Sequence, residues 1–249
     1  MSPSSILLRG GTLLLHDSND RVNAINADLL IEGNKIKKIG ENIKQIATNT
    51  SIIDCSGKIV SPGFVDTHRH LWQTQLKGRH GNELLFDYIP TGNLAGSLFT
   101  PEDIFWGQLA GALESIDAGT TMVVDFSHVN YSVEDAKKAI AATATSGLRS
   151  FYCYSNNSNV EGWHPHLTFK QTPWPEYYIE QLSQLIKSQP FGSGRVQLGL
   201  TWDAWYLPQE MVAPIFKQAR EGGIKLITCH ANRGPTLSTH LSHKPHLIH

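Results

Sequence analysis

Two histidines one residue apart, His68 and His70, close the run Ile59-Val-Ser-Pro-Gly-Phe-Val-Asp-Thr-His-Arg-His70. Side chains at i and i+2 of a β-strand point to one face, so both imidazoles project together. Neutral imidazole is a ligand for Zn²⁺ or Fe²⁺. The alternative is a pair of strand-end histidines hydrogen-bonded within a loop. A third histidine, His230, ends a later apolar run, Lys225-Leu-Ile-Thr-Cys-His230. Leu226 and Thr228 share its face, while Ile227 and Cys229 point toward the helices. Three histidines converging on one mouth leave coordination positions open for water, the layout of a catalytic zinc site.

The elements that must hold these strand ends follow from the surrounding pattern. Residues 1–62 read as short strands, Ser5-Ile-Leu-Leu-Arg, Gly11-Thr-Leu-Leu-Leu and Ala27-Asp-Leu-Leu-Ile, with a hairpin signal at Glu32-Gly-Asn-Lys35. They predict a small β-sandwich-like domain. Over residues 63–232 apolar strands alternate with amphipathic helices, the pattern of βαβ units on a parallel sheet. Strands are predicted at Phe64–His70, Thr120–Phe126, Arg149–Ser155, Val196–Asp203 and Lys225–Ala231. Helices open at Thr100-Pro-Glu-Asp103 and Ser132-Val-Glu-Asp135, run near Glu176–Lys187, and start again at Pro208. A closed (β/α)8 barrel needs eight strands and about 250 residues. The expected fold is therefore α/β: an incomplete (β/α)8 TIM-type barrel of about five units, preceded by the sandwich-like domain. The first and fifth strands then deliver their histidines to the C-terminal mouth, where barrel enzymes keep their chemistry. Residues 233–249 carry no helical period and read as an irregular tail.

The 249 residues carry a formal net charge of -1 with no basic or acidic block, which argues against nucleic acid or anionic membrane as partners. Hydrophobic residues at 40% and charged residues at 17% suit a soluble enzyme with a real core. The N-terminus lacks a signal-peptide pattern, and no stretch approaches the roughly 18 apolar residues of a membrane span. Cys55, Cys153 and Cys229 fit neither a disulfide framework nor a CxxC site, so a reducing, cytoplasmic setting is expected. Histidine is the unusual count: twelve, five of them between His230 and His249.

Together the motifs carry a resemblance. Val60-Ser-Pro-Gly-Phe-Val-Asp-Thr-His-Arg-His70 resembles the first-strand signature of the amidohydrolase superfamily. Ala118-Gly-Thr-Thr-Met-Val-Val-Asp125 resembles the second-strand signature of its cytosine deaminase/chlorohydrolase (ATZ/TRZ-like) branch. Leu76-Lys-Gly78 and Leu98-Phe-Thr-Pro-Glu-Asp103 fit that branch, and the N-terminal strands are similar to its composite β-domain. The resemblance runs to about residue 232. It implies a metal held by the first-strand pair, a fifth-strand His and an eighth-strand Asp; by position the first three are His68, His70 and His230. Binuclear members place a carboxylated Lys at the end of strand 4, and Thr201-Trp-Asp203 offers none, so one divalent ion is expected, Zn with Fe as the alternative. The eighth-strand Asp, ligand and base in the family, has no counterpart, and no catalytic acid or base is assigned. His249 is the candidate for the sixth-strand His, against a tail reading. Arg233 stands where many deaminases place a Glu, which weakens nucleobase-type deamination.

The expected activity is hydrolysis of a carbon–nitrogen bond by metal-bound hydroxide, by deamination or amide cleavage, in a small cyclic compound, with carbon–chlorine cleavage known in relatives. The alternative is a truncated, inactive fragment; metal binding alone is a third reading. A homo-oligomer would cover the open strand edge. Trp72, Gln75 and His128 follow strand ends and are the candidates to line a substrate pocket. His164 and His166 are expected in solvent. Asp66 lies deeper on the histidine face, for packing or support of the ligands. Trp202 and Trp205 read as core or rim, and Cys229 as an outward-packing thiol.

Overall fold

The computed structural model describes residues 5–44, 47–156 and 160–231, in two compact units divided between Gly63 and Phe64. The tail expected at 233–249, with Arg233 and His249, lies outside the described residues.

In the first unit β1 (Ser5–His16) and β2 (Val22–Glu32) run antiparallel, Ser5 opposite Glu32 and His16 opposite Val22. The Gly33-Asn34 turn, with Gly33 at φ +58°, leads into β3 (Lys35–Gly40). On the other edge of β1, β4 (Ser51–Asp54) and β5 (Ile59–Val60) both run parallel to it. A bulge in β1 after Leu8 separates their pairing sites, and Gly10 takes φ +68° there. Buried Asp28 braces the bulge, accepting the N–H groups of Gly10 at 2.9 Å and Ile43 at 3.0 Å. The expected sandwich-like domain is thus seen as one mixed five-stranded sheet.

The second unit alternates strands and helices. In chain order these are β6 (Phe64–Arg69), the single turn α1 (Leu85–Tyr88), α2 (Pro101–Asp117), β7 (Thr120–Ser127), α3 (Val133–Ser146) and β8 (Arg149–Ser155). A short hairpin, β9 (Val160–Gly162) and β10 (Thr168–Phe169), precedes α4 (Tyr178–Ser188), β11 (Val196–Thr201), α5 (Gln209–Glu221) and β12 (Ile227–Thr228). The five strands β6, β7, β8, β11 and β12 pair in that order, every pair parallel. Laid flat, the two outer strands would stand about 19 Å apart at 4.7–4.9 Å per step. Yet the rings of His68 and His230, from opposite ends of the row, have centroids 4.7 Å apart. The sheet therefore curls into a half-barrel. Helices α2 to α5 separate the five strands on its outside, and Tyr152, Leu198 and Trp202 pack beneath α3, α4 and α5. Among the described residues no helix is long and apolar enough to cross a membrane.

Local chemistry sets the boundaries. Thr100 caps α2: its hydroxyl accepts the N–H of Asp103 at 3.2 Å, and the Asp103 carboxylate accepts the Thr100 N–H at 2.8 Å. On α3 the Asp135 carboxylate accepts both the N–H and the hydroxyl of Ser132, each at 2.7 Å, and the helix ends on Gly147 at φ +82°. On α2 the glycines decide a packing contact. A Cβ on Gly111 would stand 2.4 Å from the Leu71 carbonyl oxygen, and one on Gly107 would stand 2.7 Å from that of Trp72. Bare backbone at both positions lets the 3-10 turn Leu71–Leu76, which directly follows His70, lie flat on the helix.

Four of the five strands end differently from expectation, β7 by running one residue on to Ser127. β6 stops at Arg69, because His70 turns into the 3-10 segment; β11 stops at Thr201 rather than Asp203. β12 pairs over Ile227–Thr228 alone, with a neighbour on one side among the described residues. The β9/β10 hairpin stands between Arg149–Ser155 and the helix after it, where no strand was predicted.

Candidate metal centre

His68 on β6 and His70 just past it, Phe126 on β7 and His128 just past it, and His230 two residues beyond β12 gather on the inside of the curl. The ligand-capable atoms of His68, His70 and His230 all lie within 4.8 Å of one another. His70 Nδ1 stands 2.7 Å from the Phe126 carbonyl oxygen. A carbonyl only accepts, so Nδ1 carries the proton and Nε2 presents its lone pair. His230 Nδ1 stands 2.7 Å from Asp203 Oδ2, an acceptor that imposes the same tautomer. The two Nε2 atoms then face each other at 3.3 Å. At that distance two ring nitrogens either share a proton or hold a metal ion between them. Nitrogens on a tetrahedral zinc, each about 2.0–2.1 Å from it, stand about 3.3 Å apart. The spacing fits such an ion.

Charge state agrees with that fit. Burial is the main force lowering the His70 pKa to about 4, helped by His230 and His68 against the pull of the Phe126 carbonyl. Burial and the His230 charge also lower His68. Both rings are neutral near pH 7, the form that ligates. Phe126 forms the floor, its ring 4.1 Å from that of His230 and 5.4 Å from that of His70.

Beside the histidines lies a cavity of about 310 Å³, walled by Phe126, His128 and Asp203 and rimmed by Phe169, Lys170 and Tyr206. His128 is buried, 4.3 Å from the His70 ring, and burial then the His70 charge hold its pKa well below the usual value. Of the three residues the sequence offered for the pocket, His128 alone lines this cavity. Trp72 is fully buried in the main core, edge-on to His128 and Phe99. Gln75 is exposed and donates to the Asp103 carbonyl at 3.3 Å, on the α2 side. Both sit in the 3-10 turn, whose three-residue period no longer follows the strand. Asp66 accepts the His68 N–H at 3.2 Å, and Arg69, between the two histidines, reaches Glu114 on α2 at 3.3 Å. Trp202 is core and Trp205 is half-exposed rim.

Sequence reasoning missed Asp203 and Phe126. Both were open to strand parity: Phe126 is two residues before His128, and Asp203 two beyond buried Thr201.

Behind β7, fully buried Asp125 accepts the Leu71 N–H at 3.1 Å and the Gln108 amide at 2.6 Å, pinning the residue after His70. Burial raises its carboxyl from 3.8 to about 6, against those hydrogen bonds and the Arg69 charge. The folded state thus binds the proton more tightly than the unfolded chain. That contribution is complete below the unfolded value and is lost as pH rises through about 6. Asp125→Asn removes the penalty and keeps an acceptor for Leu71. Between about pH 4 and pH 7.5 its stability should therefore rise against the wild type by on the order of 1–3 kcal/mol, from about two pKa units. Urea unfolding at both pH values checks this; a difference that does not change with pH counts against it.

A family model described as "Amidohydrolase family" matches residues 59–243. A 5-methylthioadenosine/S-adenosylhomocysteine deaminase from Thermococcus sibiricus is 33% identical over 153 residues, 60% of this chain and 33% of that protein. A 5'-deoxyadenosine deaminase from Methanocaldococcus jannaschii is 36% identical over 140 residues, 53% of this chain and 30% of the other. Among solved structures, a zinc complex of atrazine chlorohydrolase from Arthrobacter aurescens TC1 superposes with TM-score 0.71 at 23% identity, covering 95% of this chain and 55% of that one. Guanine deaminase from C. acetobutylicum with bound guanine gives TM-score 0.71 at 17% identity, covering 93% and 54%. These structural likenesses speak to the fold. The chain spans about a third of the length of these curated relatives and about half that of the solved chains.

Proposed function

Because the chain belongs to the amidohydrolase family, we propose that it serves metal-dependent hydrolysis of a carbon–nitrogen bond in a small cyclic compound. One divalent ion, zinc before iron, is held by His70 Nε2, His230 Nε2 and His68. The observation that carries this reading is the 3.3 Å separation of two Nε2 atoms whose Nδ1 protons are both committed elsewhere. When bound, such an ion lowers the pKa of a bound water from 15.7 to about 7.

The chain's own residues supply the rest of what can be assigned. Phe126 offers a ring face under the substrate, and His128 a wall beside His70. At about 310 Å³ the cavity is at the small end of ligand pockets, suited to one compact ring system. The relatives named above are deaminases of adenosine compounds and of guanine and a chlorohydrolase of atrazine, all by name agents on nitrogen heterocycles. A heterocycle bearing an amino or chloro leaving group is therefore the substrate class.

A second reading, metal binding without turnover, has its own observation. Both oxygens of Asp203 are spent on His230, Asp66 supports the His68 backbone, and no other carboxylate lines the cavity among the described residues. The test measures metal in the purified chain and ammonia or chloride released from adenosine, guanine and chlorotriazine substrates. About one zinc per chain, with release abolished by a chelator and restored by zinc, supports the enzyme. One zinc without release favours the second reading, and absence of stoichiometric metal sinks both.

A further inference from the structure

β12 is the weakest held of the strands that carry the site. Its last ladder bond runs from the Trp202 N–H to the Thr228 carbonyl at 3.0 Å, two residues short of His230. Past that point a side chain replaces the ladder. Asp203 Oδ1 accepts the His230 backbone N–H at 2.8 Å, and Oδ2 faces His230 Nδ1 at 2.7 Å. One carboxylate thus fixes both where the residue sits and how its ring is protonated. The pair is well exposed, with 43% of the His230 side chain and 45% of that of Asp203 accessible. An ion pair so exposed adds little to stability. Its consequence lies in orientation.

We propose that Asp203 is the positioning residue of the metal centre, extending the β11–β12 ladder by its side chain and holding His230 with Nδ1 protonated and Nε2 free. The proposal rests on the zinc reading above. An asparagine has one acceptor and one donor group where Asp203 has two acceptors. If its oxygen keeps the backbone N–H, its amide hydrogens meet His230 Nδ1. The ring then takes the other tautomer, with its proton on Nε2 and no lone pair for the ion.

Zinc affinity is measured by competition with a chromophoric chelator for wild type and Asp203→Asn, together with urea unfolding of the metal-free forms. The variant should bind zinc about 10–100-fold more weakly, the usual cost of losing such a partner, with little change in unfolding. Equal affinity overturns the proposal; equal loss of affinity and stability makes Asp203 a purely structural residue and overturns it too. A measurement on the wild type alone covers a variant that fails to fold. The ¹⁵N shifts of His230 in the metal-free chain should report the Nδ1–H tautomer, and an Nε2–H tautomer overturns the assignment. Failure of the wild type to bind zinc would instead reject the function proposed above, so the two outcomes are separable.

Discussion

Replacing His70 by alanine is expected to strip the chain of its metal. His70 is the most enclosed of the three histidines, since His68 and His230 are both exposed. Its Nε2 is one half of the 3.3 Å pair, and its Nδ1 is anchored on the Phe126 carbonyl. Removing it leaves two rim imidazoles that must hold a dication against water. Four-ligand structural zinc sites bind with about 10–16 kcal/mol, a few kcal/mol per ligand, so one ligand fewer costs on the order of a thousandfold in affinity. Metal analysis after dialysis should fall from about one ion per chain to trace levels. His164→Ala is the control, because that histidine is exposed on the β9–β10 connection and outside the trio. A His70→Ala protein that keeps one zinc per chain would show that the ion is held elsewhere.

The three histidines were legible in the sequence because their signal is local. Parity along a strand puts residues 68 and 70 on one face, and the order of strand–helix units puts the fifth strand end at the same mouth. Arg149–Ser155 was read to the residue, since a glycine before it and polar turn residues after it bound an apolar run. What was not legible depends on partners distant in sequence. Strand parity could bring Asp203 to the mouth, but it does not name the partner: His230 is 27 residues away in sequence and hydrogen-bonded to it twice. β12 was expected to run from Lys225 to Ala231 on propensity alone. The ladder reaches only as far as its partner allows: β11 ends at Thr201, opposite Thr228, and β12 ends there with it. Gln75 went astray for a related reason: Gly107 and Gly111 create a groove on α2, and the segment after His70 follows that groove rather than the pocket.

Trp72 separates the pocket expectation from the core packing most sharply, and its replacement by alanine is expected to cost about 3–5 kcal/mol of stability, the range for emptying a buried aromatic site. The indole is fully buried against Phe99, His128, Gly96 and Val129, so little around it can collapse into the gap. A Cβ on Gly96 would already stand 3.0 Å from the Trp72 ring, which measures how closely the segment before α2 lies on it. Phenylalanine should behave differently. Among the described residues the buried Trp72 Nε1 proton has no hydrogen-bond partner, and leaving such a donor unsatisfied costs about 1–3 kcal/mol in the wild type. Trp72→Phe removes that cost along with part of the ring, so its net loss should be well under half that of alanine. Urea unfolding of the metal-free proteins gives both numbers. A side chain that merely lined the pocket would leave unfolding unchanged in both variants and shift only substrate affinity. An alanine variant as stable as the wild type would therefore return Trp72 to the pocket and remove it from the core.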